Sequence, residues 1–179
     1  MAYRVSSARP LNLGHRGALS LAPENTLAAF AVAREVGADG VEFDVQLSAD
    51  GQLVIIHDDT VDRTSDGHGL VNALTLAELK RLDVGRWFGA QFAGERIPTL
   101  QDVFDLLGRQ MLLNIEIKSK SGVTTDDGDN GLIAKVVECV QRNGMGDCVL
   151  ISSFNFASLR RVRQLDPTLR IGALYSRPL

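Results

Sequence analysis

Two heptapeptides, "VEFDVQL" (41–47) and "LNIEIKS" (113–119), alternate strictly between apolar and polar residues. Side chains on a strand point alternately to opposite faces. Val41, Phe43, Val45 and Leu47 therefore share one face, opposite Glu42, Asp44 and Gln46. Leu113, Ile115 and Ile117 likewise lie opposite Asn114, Glu116 and Lys118. Ordinary buried parallel strands are apolar on both faces. A chain with two such strands must fold so that their polar faces look into something wet or ionic.

Further short apolar runs fall near Leu11–Gly14, Leu53–His57, Val149–Ser153 and Arg170–Tyr175. Helical patterns lie between them. Thr26 to Val36 is Ala-rich and ends at Gly37. Thr75-Leu-Ala-Glu78 forms a capping box. Helices are also expected from Thr99 to about Leu107, from Leu132 to Arg142 and from Phe156 to Leu165. This rhythm predicts βαβ units and a parallel sheet, the α/β class. The polar, Gly-dotted stretch 58–97 breaks it, as a functional loop or small insertion would. The acidic stretch "TTDDGDNG" (124–131) reads as a flexible turn.

Composition narrows the partners. The formal net charge is −3, and no basic block or basic helix face is present, which argues against nucleic acid. No apolar run is long enough for a membrane span, and the N-terminus has no signal-peptide centre. Two cysteines, Cys139 and Cys148, are too few for a disulfide framework and suit reduced thiols in a cytoplasmic protein.

Glu42, Asp44 and Glu116 on neighbouring inner faces would repel one another, and burying them unpaired is costly. A divalent, oxygen-loving cation resolves the conflict, and an all-carboxylate set suits Mg²⁺ or Ca²⁺ rather than zinc. The alternative is an ion-pair network with Lys118 and Arg16. Without an ion, the three carboxylates are expected to converge still, around water or a cationic side chain. His15, between glycines in "GHRG", and His57, ending "LVIIH", are expected at the C-terminal ends of strands, where parallel α/β folds bind ligands. Two histidines with Arg16 and Lys118 form a set for phosphoryl chemistry, one imidazole accepting a proton and the other donating one. His68, in Gly-rich "SDGHG", reads as a surface loop residue.

In order and spacing, "HRG", "PENT", "EFD", "IIHDDTVDRTSDGHG", "GERIPTLQDVFDLL", "LNIEIK" and "ISSFN" together resemble the glycerophosphodiester phosphodiesterase family over about residues 12–175. The resemblance implies one TIM-barrel domain over 1–179, with 58–97 as a small insertion after the third strand. It implies a metal held by Glu42, Asp44 and Glu116, and an acid/base pair in His15 and His57. Arg16 and Lys118 would contact phosphate, Glu24 and Asn25 would brace the first loop, and Phe154 would line the pocket. The implied reaction cleaves a glycerophosphodiester to glycerol 3-phosphate and an alcohol, through attack by the substrate's own hydroxyl and a cyclic phosphate. Two alternatives stand beside it. One is a phosphodiesterase of the same barrel type acting on lysophospholipids, with Trp87, Phe88 and Phe92 as an apolar lip. The other is a non-catalytic phosphodiester-binding module.

A TIM barrel needs eight strands. Six are counted, so strands seven and eight are expected to be missing and the first and sixth strands to be unpaired with each other. A fragment of a longer protein, or a second copy covering the gap, is the expected consequence.

Overall fold

The structure is a computed structural model and describes residues 9–118 and 131–176. Most of the acidic stretch 124–131 and the first eight residues lie outside the described residues.

Six strands form one sheet: β1 (Leu13–His15), β2 (Gly40–Leu47), β3 (Leu53–Ile55), β4 (Leu112–Ile117), β5 (Val149–Ser153) and β6 (Arg170–Ala173). Five of them run parallel in the order β1-β2-β4-β5-β6. No ladder joins β1 to β6 among the described residues, as expected for an open arc. The helices are α1 (Leu27–Glu35), α2 (Leu76–Leu79), α3 (Leu100–Leu107), α4 (Leu132–Arg142) and α5 (Phe156–Leu165). Their starts follow local chemistry. Thr26 accepts from Ala29 N, and Thr75 and Thr99 each close a capping box, with Glu78 and Asp102.

The expectation of an all-parallel sheet needs one correction. β3 runs antiparallel to β2, pairing Val45 with Ile55 and Leu47 with Leu53. The reason is length, because a parallel crossover needs a dozen or more residues and only 48–52 intervene. Those residues make a tight turn. Gly51 N donates to Ser48 O, Gln52 N donates to Ser48 Oγ, and Gly51 adopts φ +72°. Val45 pairs with Ile55 on one side and Ile117 on the other, so β3 takes over the edge that β1 leaves at Glu42.

The apolar strand faces meet the helices. Phe30, Val41, Phe43, Val45, Leu107, Leu113, Ile115, Val136, Val140, Ile151 and Val162 belong to one buried cluster. A second, smaller cluster packs Val61, Val71, Leu79, Val84 and Ile97 of the 58–97 stretch against Val54 and Ile56. With the apolar faces packed against helices, the charged faces of β2 and β4 are left on the inner side of the arc.

Candidate active site

Register brings the acids together. Asp44 pairs with Glu116 across the β2–β4 ladder, and His15 pairs with Glu42 across β1–β2. Ligand oxygens of Glu42, Asp44 and Glu116 all lie within 4.8 Å of one another. Asp44 and Glu116 are buried, and the Glu42 side chain is only 12% exposed. Lys118 answers them, its Nζ lying 3.1 Å from Asp44 Oδ1 and 2.9 Å from Glu116 Oε1. Burial opposes the ammonium charge, but Asp44 and Glu116 outweigh it and raise the Lys118 pKa.

Glu42 fares differently. Burial, then repulsion from Asp44, pushes its carboxyl up to about 7, against a hydrogen bond donated by Arg16 N at 3.0 Å. Among the described residues, its Oε1 is buried without a hydrogen-bond partner, and so are Asn114 Oδ1 and Ser152 Oγ.

The loop after β1 is built for close approach. Gly17 N donates to Gly14 O, and a Cβ at Gly14 would lie 2.6 Å from Gly17 O. Arg16 itself takes φ +52°, a region that non-glycine residues rarely occupy. The turn leaves His15 exposed, with Nε2 3.7 Å from Glu42 Oε2. Burial of its ring, then the Arg16 charge, lowers the His15 pKa. Arg16 reaches Glu24 Oε1 through Nη1 at 2.8 Å, while its Nε stands 3.6 Å from Asp44 Oδ2. Asn25 donates from Nδ2 to Asp44 Oδ2 at 2.9 Å, tying the "PENT" turn to β2.

His57 arrives by the hairpin. Gln46, on the inner face with Glu42 and Asp44, donates from Nε2 to the carbonyls of Ile56, His57 and Asp58. This grip turns the chain over the inner face just beyond β3. His57 Nδ1 lies 2.6 Å from Asp58 Oδ1. Asp58 is held at about 2, first by a hydrogen bond from Arg63. Arg63 also bonds Glu24 through Nη1 and Nη2. Burial favours neutral Glu24, but the bonds from Arg63 and Arg16 outweigh it and hold the carboxyl below its usual range.

The structure thus brings His15, Arg16, Glu24, Asn25, Glu42, Asp44, His57, Glu116 and Lys118 into one network or its immediate surroundings. Phe154, in the turn after β5, is exposed. His68 is 86% exposed beside Asp62. Both cysteines are buried thiols. Sequence reasoning did not single out Gln46, Asp58 or Arg63. Asp58 was within reach, since a carboxylate directly follows the histidine. Arg63 was not, because its partner Glu24 is remote in the chain.

No helix among the described residues is long and apolar enough to cross a membrane. The family model described as "Glycerophosphoryl diester phosphodiesterase family" matches residues 15–179. A glycerophosphodiester phosphodiesterase of Caldanaerobacter subterraneus is 51% identical over 168 residues, covering 93% of this chain and 67% of its own. One from Bacillus subtilis is 36% identical over 175 residues, covering 92% and 59%. Among solved structures, an Oleispira antarctica phosphodiesterase in complex with the product sn-glycerol-3-phosphate is 40% identical, with a TM-score of 0.84 over 92% of this chain and 65% of that one. The chain therefore spans roughly three-fifths to two-thirds of the length of these relatives. An extensive family match, high identity and a shared fold agree: the chain belongs to the glycerophosphoryl diester phosphodiesterase family.

Proposed function

We propose that this protein hydrolyses glycerophosphodiesters to glycerol 3-phosphate and an alcohol. The observation that carries the reading is the convergence of Glu42, Asp44 and Glu116 within 4.8 Å, next to His15 and between Arg16 and Lys118. The product complex of the Oleispira relative supports the same substrate class.

The acidic cluster fits one divalent cation. Among the described residues, Glu42 Oε1 is buried with no hydrogen-bond partner, while Lys118 bonds the other two carboxylates. An all-oxygen donor set suits Mg²⁺ or Ca²⁺, held by Glu42, Asp44 and Glu116. When bound, the ion supplies positive charge that lowers the pKa of a substrate hydroxyl and offsets charge on phosphate oxygens. Arg16 and Lys118 orient the phosphodiester, and Arg16 Nε, which makes no hydrogen bond among the described residues, offers a donor for this task. One histidine takes the proton of the glycerol hydroxyl as that oxygen attacks phosphorus. The other gives a proton to the departing alcohol. Water then opens the resulting cyclic phosphate with the proton roles reversed. Glu24 and Asn25 brace the first loop, and Phe154 offers an apolar wall to the substrate.

In this reading the chain is one domain, and 58–97 is an insertion that delivers Asp58 and Arg63 to the site. The buried thiols suit a cytoplasmic setting. A lysophospholipid substrate would use the aromatics of the insertion. Trp87 donates from Nε1 to Val84 O and packs edge-on against Phe88, which packs against Phe92, an arrangement that supports anchoring instead. Turnover of glycerophosphocholine and lysophosphatidylcholine, each with and without chelator, tests the proposal. Chelator-sensitive release of glycerol 3-phosphate is expected. Binding without turnover in the presence of Mg²⁺ or Ca²⁺ would make the chain a binding module instead.

A further inference from the structure

Arg63 sits in "VDRT" after β3, inside the stretch "IIHDDTVDRTSDGHG" quoted above, where sequence reasoning assigned it no role. Its guanidinium joins two loops. Nε donates to Asp58 Oδ2 at 2.6 Å and Nη2 to Asp58 Oδ1 at 3.2 Å. Nη1 donates to Glu24 Oε2 at 2.8 Å and Nη2 to Glu24 Oε1 at 2.7 Å. Asp58 passes the contact to His57 Nδ1, and Glu24 passes it to Arg16 Nη1. The chain His57–Asp58–Arg63–Glu24–Arg16 thus spans from one histidine to the residue after the other.

Stability alone is a weak reason for this arrangement. Arg63 is 45% exposed, so solvent screens part of what its ion pairs add to stability. What two facing forks supply is direction. With Arg63 on Asp58 Oδ2, Oδ1 is turned toward His57 Nδ1. An ionised carboxylate there accepts the Nδ1 proton, so the neutral ring keeps its lone pair on Nε2. Freed from Arg63, the Asp58 carboxylate can rotate away and the ring with it.

We propose that Arg63 is a positioning residue, clamping Asp58 and Glu24 so that His57 is held as the Nδ1–H tautomer with Nε2 open to ligand. The proposal rests on the reading of His57 as a proton-transfer group. Lysine cannot replace arginine in this role, because an ammonium can touch two carboxylates but has no planar fork to grip each of them through both oxygens and so fix their orientation.

The test compares Arg63→Ala, Arg63→Lys, His57→Ala and the Ala/Ala double variant, with glycerophosphocholine and Mg²⁺, alongside ¹⁵N imidazole spectra assigned through His57→Ala. Arg63→Ala should lower kcat by about 10–100-fold, the range for groups that orient a functional ligand. KM should stay within about threefold, since Arg63 is not asked to touch substrate. In the His57→Ala background the same change should cost nothing further. Arg63→Lys should resemble Arg63→Ala. The parent protein should show the Nδ1–H tautomer at His57, and both Arg63 variants a tautomer mixture. An undiminished effect of Arg63→Ala without His57, wild-type kcat in Arg63→Ala, or an Nε2–H tautomer in the parent would each overturn the proposal. Near-normal activity of His57→Ala removes the underlying reading, while the spectra still report whether Arg63 holds the ring. If Arg63→Ala does not fold, Arg63→Lys and the spectra decide.

Discussion

Lys118 extends its ammonium from the end of β4 to within 3.1 Å of Asp44 on the neighbouring strand, placing a cation within the acidic cluster. Breaking a buried pair by removing one partner leaves an uncompensated charge. Lys118→Met should therefore cost the metal-free protein about 3 kcal/mol. The loss should shrink when Mg²⁺ is present, because the proposed ion supplies charge to the same carboxylates. Calorimetric melts with and without Mg²⁺ check this, and an equal loss in both conditions would count against the metal site.

Glu42 makes the metal-free fold pH-sensitive. Its folded carboxyl keeps a proton to about pH 7, whereas the unfolded one ionises near 4.5. Below about 4.5 both states are protonated and nothing is lost. As pH rises toward 7 the unfolded state ionises first, so stability falls by on the order of 2–3 kcal/mol. Glu42→Gln should flatten this window in urea titrations of the metal-free protein. Binding of a divalent ion near pH 6 should release close to one proton, read as buffer-dependent heat in titration calorimetry.

His15→Ala and His57→Ala should each reduce turnover by at least ~10²-fold, because each is asked to move a proton in the transition state. Neither ring belongs to the apolar core, so far-ultraviolet circular dichroism should be unchanged. Near-normal turnover in either variant removes that residue from the mechanism.

Gly17→Ala should disturb the first loop from within. Gly17 has φ +83°, and a Cβ there would lie 2.7 Å from Ala29 Cβ and 2.8 Å from Ala29 C. Positive-φ strain and overpacking each cost about 1–3 kcal/mol. The expected result is a lower Tm together with reduced turnover, since Arg16 and His15 ride on this loop. An unchanged Tm would mean that the loop relaxes freely.

Much of this was readable along the chain because the signals are local. Thr75 and Thr99 announce their helices through bonds three residues away, and alternation in "VEFDVQL" assigns faces without knowledge of the neighbouring strand. The grouping of Glu42, Asp44 and Glu116 was legible for a related reason, since two strands with the same polar face leave few ways to avoid bringing their acids together. The direction of β3 was misjudged, although the short 48–52 connection already forbade a parallel crossover.

The sequence by itself determined where the strands and helices lie to within a few residues, and which faces of β2 and β4 are charged. Period and capping act over a few residues, so no distant contact is needed to read them. Only the tertiary structure decided how those charges are shared. It put Lys118 on Asp44 and Glu116 but not on Glu42, and used Gln46 to fold His57 back over the inner face. It also joined Asp58 to Glu24 through Arg63. Each of these depends on register and on side-chain reach across separate loops, and such distances exist only once the strands are paired.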